Sequence, residues 1–225
     1  MLRPGKDKGL ATPIPLGLAA LASTTFLMGV AVIFQPVTSW APYLMQALLF
    51  GGLVELLAGM WAFAYGDTLA ATVFSFIGGF FGWWGLAHLT VLGVHAAAAA
   101  TVDSMATVFI VTAVVTIYLW VASFYEFVAF NLILLFLWLS FGLIGIAMFT
   151  GVETIAVIGG IAAVISGLVA AYTSFAGLYN ATSFEDTVPL GESGTIRQRA
   201  EQDEMERIRR LHPVNHVGDQ QSAHP

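Results

Sequence analysis

One carboxylate lies deep inside an apolar stretch of this chain: Glu55, with Gly51 four residues before it and Gly59 four residues after it. On a helix those three residues share a face, and glycines beside a carboxyl group let neighbouring backbone come close. An ionisable group surrounded by hydrocarbon is costly unless it faces protein or water. Two chemistries suit Glu55: a neutral carboxyl hydrogen-bonded to an adjacent helix, or a group that takes part in the passage of a proton or a polar solute. Thr24, Thr25, Thr72, Ser75 and Asn131 add hydroxyls and an amide to other apolar stretches. Asn131 reads first as a helix-to-helix hydrogen bond. His88 and His95 read as interfacial residues before pH sensors. No Ser, His and acid arrangement with an elbow motif is present, and no HExxH, phosphate-cradling glycine loop or basic nucleic-acid patch. With no Cys at all there is no disulfide framework or thiolate metal site. We therefore expect no catalytic residues, no metal and no cofactor.

The elements that must position these groups follow from charge. All eight Lys and Arg lie at the two ends, at Arg3, Lys6 and Lys8 and at Arg197, Arg199, Arg207, Arg209 and Arg210. A soluble domain of that length needs basic side chains to hydrate its surface, whereas a bilayer excludes them and cytoplasmic flanks collect them. The chain is 58% hydrophobic and only 10% charged, against roughly 25% charged for an ordinary soluble domain. It reads as an all-α integral membrane protein of a plasma or bacterial inner membrane. Basic residues at both ends place both termini in the cytoplasm and require an even number of crossings.

Stretches of about 20 apolar residues fit six times: Ile14 to Phe34, Tyr43 to Ala64, Leu69 to Leu92, Met105 to Ala122, Phe127 to Met148 and Thr154 to Leu178. The basic start followed by an apolar run has the outline of a signal peptide. Ile14 to Phe34 is long enough to span, however, and Pro13-Ile14-Pro15 reads as the opening of a helix, so we take it as the first span. The least certain boundary is Tyr125-Glu126, because one long helix there would give five crossings. This divides the chain into a cytoplasmic segment at 1–12, a transmembrane domain at 13–180 and a cytoplasmic tail at 181–225. Within the tail, Asp203 with Arg207 and Glu206 with Arg210 have the spacing of a short exposed helix, and the residues after His212 look disordered.

Lipid gives helices no hydrophobic reason to associate, so close packing needs small residues in register. Gly159, Ala163, Gly167 and Ala171 recur every fourth residue, and Gly78 with Gly82 form a GxxxG step. The fifth span is bulky instead, with Phe130, Leu132, Leu134, Leu135, Phe136, Trp138 and Phe141. Trp40 and Trp61 suit the interfacial belts. Because no Lys or Arg lies in the spans, an anion would have to be held by hydroxyls, amides and helix N-termini. The Pro-bounded start of the first span, where Pro13 and Pro15 leave the N–H groups of the next turn facing outward, is the natural place.

Thr12-Pro13-Ile14-Pro15-Leu16-Gly17-Leu18 resembles the Asn-Pro-Ala-Pro-Leu-Gly-Leu motif of the acetate uptake transporter family, the YaaH-type succinate-acetate permeases. Phe50-Gly51-Gly52-Leu53 with Ala58-Gly59-Met60-Trp61, then Gly66-Asp67-Thr68 and Ala71-Thr72-Val73-Phe74, resemble its second signature in order and spacing. Phe127 to Gly142 is similar to its fifth helix, and Tyr179-Asn180 with Pro189-Leu190-Gly191 to its C-terminal exit. The resemblance covers most of Thr12 to Gly191.

That resemblance implies a six-helix protomer in a hexameric ring. Each protomer would carry its own path for acetate, related monocarboxylates or succinate, with a proton. Thr12, Pro13, Pro15, Leu16 and Gly17 would form the mouth. Leu21, Ile77 and Leu132 would form an apolar constriction, and Thr24, Thr25, Glu55, Thr72, Ser75 and Asn131 the polar contacts along the way. The family usually has aromatic residues at the positions of Leu21 and Ile77, Asn at Thr12 and Gln at Glu55. A fixed anion at position 55 would repel a carboxylate, so the resemblance implies a protonated Glu55 or a neutral acid as cargo. Two other classes fit the residues: a channel for a small neutral solute such as ammonia or urea, and a structural or signalling membrane protein without flux. No nucleic-acid partner is expected.

Overall fold

The computed structural model describes residues 11–34, 41–87, 102–183, 188–191 and 205. The terminal basic residues, Trp40, His88, His95 and the Asp203–Arg207 and Glu206–Arg210 pairs lie outside them. Among the described residues, six helices are long and apolar enough to cross a membrane. They are α1 (Ile14–Ile33), α2 (Pro42–Tyr65), α3 (Thr68–Ala87), α4 (Val102–Ala122, extended by a 3₁₀ turn at Ser123–Tyr125), α5 (Val128–Thr150) and α6 (Glu153–Thr182).

Local chemistry sets the boundaries. The Thr12 hydroxyl accepts the Ile14 N–H at 3.4 Å where α1 begins. Helix α2 stops at Gly66, whose φ of 92° is open to glycine at little cost. The Asp67 carboxylate then accepts the Ala70 N–H at 3.0 Å and caps α3. Between α4 and α5 the chain tightens into a single 3₁₀ turn, and Glu126 is extended, which separates two helices where one long helix was the rival.

Helix α6 packs most extensively on α1 and α5, α5 also on α4, and α2 on α3 and α1; α3 and α4 meet less closely. The helices thus form a ring in chain order, closed by α6 against α1. Small residues permit the close contacts. A methyl group added to Gly52 would stand 2.8 Å from the Gly82 Cα, and one at Gly167 would stand 2.8 Å from the Phe26 Cβ. The small-residue ridge of α6 is divided: Gly159 meets Ile144 of α5, Ala163 and Gly167 meet α1, and Ala171 is exposed. The Ser166 hydroxyl adds a tie to the Ile133 carbonyl at 2.9 Å. Outward faces carry Leu53, Leu57, Trp61, Val111, Val121, Leu168 and Phe175, all exposed, as hydrocarbon surroundings allow. Inward faces carry Leu18, Leu21, Phe74, Ile77, Phe81, Leu134, Leu137 and Phe141, all fully buried.

Candidate functional site

Helix α2 is not uniform. An α-helical start at Ala41–Gln46 widens into a π-helical stretch at Ala47–Val54 and returns to α-helix at Glu55–Tyr65. Glu55 stands at the junction, its N–H directed back to the carbonyls of Phe50 and Gly52. Wide turns of this kind shift the side chains that follow them and cluster at functional positions. The Glu55 side chain is 0% exposed, and neither carboxylate oxygen has a hydrogen-bond partner among the described residues.

Close contacts fix what surrounds it. Gly51 lies against Thr24 of α1 and Phe81 of α3, since an added Cβ would stand 2.7 Å from Thr24 Cγ2 and 2.7 Å from Phe81 Cβ. One turn to the other side of Glu55, a Cβ on Gly59 would stand 2.5 Å from the Ser75 hydroxyl. Glu55 therefore faces the seam of α1 and α3 between these contacts. Helices α1 and α3 run in the same direction, with Gly17 against Phe74 at one level and Thr24 beside Phe81, through Gly51, two turns along. Leu21 and Ile77 fall midway, level with Glu55. Phe81 packs edge-on to Phe141 of α5, ring centres 6.3 Å apart. One turn below Phe141 on α5 is the buried Leu137.

The hydroxyls of Thr24, Thr25 and Ser75 are buried and, like the Glu55 oxygens, unpartnered among the described residues. Thr72 is occupied instead, its hydroxyl donating to the Thr68 carbonyl at 2.7 Å. Asn131 sits in the α4–α5 hairpin, where its carbonyl oxygen accepts the Trp120 indole N–H at 3.2 Å and its amide donates to the Ser123 hydroxyl at 2.8 Å. Leu132 differs in burial from Leu21 and Ile77, the other two residues expected at the constriction. It is 36% exposed, while Ile133, Leu134 and Leu137 are 0% exposed. Each helical residue turns its side chain by about 100°, so Leu132 and the fully buried Ile133 face different ways.

At the opening of α1, the outward donors expected from the two prolines are partly used within the chain. The Ile14 N–H bonds Thr12, and the Gly17 N–H bonds the Pro13 carbonyl at 3.1 Å. The Pro15 carbonyl accepts the Ser174 hydroxyl at 2.6 Å, tying this end of α1 to α6. Leu16 is exposed. At the same end of the bundle a cavity of about 360 Å³ is lined by Tyr65, Gly66, Asp67, Thr68, Leu69 and Glu126. Burial pushes the Asp67 carboxyl above its ordinary value, opposed by the N–H bond from Ala70.

Two features were absent from the sequence reading. One is an aromatic cluster in which Phe80 meets Phe109 and Phe141 at centre distances of 5.1 and 4.7 Å. The aromatic character of Phe80, Phe81, Phe109 and Phe141 was visible, but their convergence from three helices was not. The other is a backbone latch. Asn180 pairs with both backbone groups of Val188, at 2.9 and 3.0 Å, and the carbonyls of Leu190 and Gly191 accept the N–H groups of Ala129 and Val128 at the start of α5. A groove of about 420 Å³ between α3 and α4, lined chiefly by apolar groups, opens outward beside Ser75 and Thr112.

Comparison with known proteins places this arrangement. A model of the GPR1/FUN34/yaaH family matches residues 1–190. Acetate permease A of Emericella nidulans is 33% identical over 220 residues, covering 88% of this chain and 72% of that protein. Ammonia transport outward protein 2 of Saccharomyces cerevisiae is 29% identical over 182 residues, 79% of this chain but 64% of the yeast protein's length. The solved structure of the bacterial acetate channel SatP superposes with a TM-score of 0.75 at 22% identity, covering 81% of this chain and 99% of that one, a likeness of fold.

Proposed function

We infer the function from the premise that this chain belongs to the GPR1/FUN34/yaaH family: it is a multi-pass membrane transporter or channel that passes acetate and related small carboxylates, succinate among them. What carries the reading is the kinship with an acetate permease together with the interior of the bundle. That interior offers hydroxyls, one carboxyl group and apolar walls, and there is no Lys or Arg from Gly9 to Ile196 to trap an anion. Weak holding suits a path that must release its cargo. Solute would enter near Thr12, Pro13, Pro15, Leu16 and Gly17, pass a narrow level at Leu21 and Ile77, and meet Thr24, Thr25, Glu55 and Ser75. A proton accompanies the carboxylate, six protomers form a ring, and both termini face the cytoplasm. The last point rests on the basic ends, and reporter fusions at residues 1 and 225 must agree in side.

Counterflow in liposomes tests the function, with labelled acetate, succinate and urea added to the purified protein. Acetate should exchange faster than in protein-free vesicles and be slowed by competing monocarboxylates. A second reading, passage of a small neutral solute, is favoured by the relative named for ammonia transport. It predicts flux insensitive to competing carboxylates.

A further inference from the structure

Glu55 is the one carboxyl group within the spanning helices that is buried on all sides, and four features of its surroundings point the same way. Both of its oxygens lack a partner among the described residues. The π-helical stretch ends on it. Gly51 and Gly59, one turn to either side, bring Thr24 and Ser75 close. The Thr24, Thr25 and Ser75 hydroxyls are themselves unpartnered. Buried polar groups in native proteins are almost always hydrogen-bonded, so an unpartnered Glu55 carboxyl with Thr24 and Ser75 drawn in beside the glycines on either side of it marks a place where another polar species is received. Neither α1 nor α3, the helices packed against this face, carries a titratable or charged side chain, and none lies elsewhere on α2 between Tyr43 and Tyr65. No cation is there to balance a charged substrate. The positive charge left to offset a carboxylate here is that of a proton.

We propose that Glu55 is the proton-exchange group of the path. Its protonated carboxyl, with the Thr24, Thr25 and Ser75 hydroxyls, receives the substrate carboxylate and hands it that proton. The O–H bond breaks at Glu55 and forms at the substrate, which moves on as the neutral acid. The Glu55 carboxylate left behind takes a proton from water on the side of substrate arrival before the next cycle. One carboxylate and one proton thus cross together, and the step moves no net charge. The proposal rests on the carboxylate-passing reading above and adds to it the residue that couples the two ions.

The test measures initial entry of labelled acetate into liposomes holding the full chain, with the rate of protein-free vesicles subtracted. Potentials of either sign are imposed at fixed pH. Moving one charge through about 100 mV is worth about 2.3 kcal/mol, so a charge-carrying path changes rate several-fold with potential and an electroneutral one does not. The unmodified protein should be indifferent to potential, whereas Glu55→Gln, which can hydrogen-bond but has no proton to give, should conduct in a potential-dependent manner. Should Glu55→Gln lose all flux while retaining the helical content and oligomer size of the unmodified chain, Glu55→Asp decides: restored potential-independent flux supports the proposal, and no flux in either variant overturns it. Potential-dependent flux in the unmodified protein, or potential-independent flux in Glu55→Gln, also overturns it. Absence of any acetate flux in the unmodified protein would instead remove the carboxylate-passing reading itself.

Discussion

The Phe74 ring lies against Gly17, so close that a methyl group on that glycine would stand 2.6 Å from Phe74 Cε2. A glycine of the Pro-bounded start of α1 and a fully buried aromatic of α3 are therefore one contact. Gly17→Ala should force the ring aside and destabilise the folded protein by about 1–3 kcal/mol, the usual cost of overpacking. Shortening the ring should relieve it, so Gly17→Ala with Phe74→Leu should be more stable than the sum of the two single changes. Thermal unfolding of the four proteins in one detergent checks this. Simple additivity would mean the ring does not lean on Gly17.

How much of this was legible in the sequence depends on the kind of information. The six spans were legible because length, apolarity and the confinement of Lys and Arg to the ends are properties of the chain alone, and the observed helices lie within a few residues of the expected ones. The face shared by Gly51, Glu55 and Gly59 was legible because helical spacing is arithmetic. The orientation of Leu132 was not. Helix α5 is apolar on every side, so no polar stripe shows which residues face inward, and placing a residue by alignment can rotate the helix without any visible error. The π-helical stretch before Glu55 leaves no residue signature, since it is a change of backbone hydrogen-bond register. The Asn180 latch pairs a side chain with backbone groups, which carry no sequence identity.

Asn131 holds the α4–α5 hairpin through Trp120 and Ser123. Asn131→Leu keeps the branch at Cγ but removes all three side-chain bonds, to the Trp120 indole, the Trp120 carbonyl and the Ser123 hydroxyl, and leaves the Trp120 indole N–H without its acceptor. Hydrogen bonds between helices in membranes are worth on the order of 1 kcal/mol, so a loss of about that size is expected in unfolding measurements, with a shift in Trp fluorescence as the indole loses its partner. An unchanged spectrum and stability would show that the bond is absent in the membrane.

The latch makes a prediction about local opening. The N–H groups of Val128 and Ala129 begin α5 and would be unpaired but for the carbonyls of Gly191 and Leu190. Asn180→Leu removes the pair of bonds that holds Val188, and the segment should detach. Amide exchange at Val128 and Ala129 should then quicken by about tenfold, equivalent to about 1.4 kcal/mol, while amides in the middle of α5 stay protected. If the whole helix exchanges faster, Asn180 supports the bundle and not the latch alone.

The narrow level of the proposed path gives the last prediction. Leu21, Ile77 and Leu137 are fully buried, and helical spacing from the Gly17–Phe74 and Phe81–Phe141 contacts puts them at similar heights on α1, α3 and α5. Each carries a branched apolar side chain with no polar atom to bind a carboxylate, so their contribution is to width. Leu21→Ala and Ile77→Ala should therefore raise the entry of butyrate relative to acetate. Truncation of a buried Leu or Ile costs about 2–5 kcal/mol in protein cores, so Leu21→Val and Ile77→Val serve where the Ala variants fail to assemble, with the same direction and a smaller size. Leu137→Ala should act like Leu21→Ala. Leu132→Ala should leave the ratio unchanged, because its side chain faces out of the bundle. Should Leu132→Ala alter selectivity as strongly as Leu21→Ala while Leu137→Ala does nothing, the path would run along the outer face of α5, and the level described here would be packing alone.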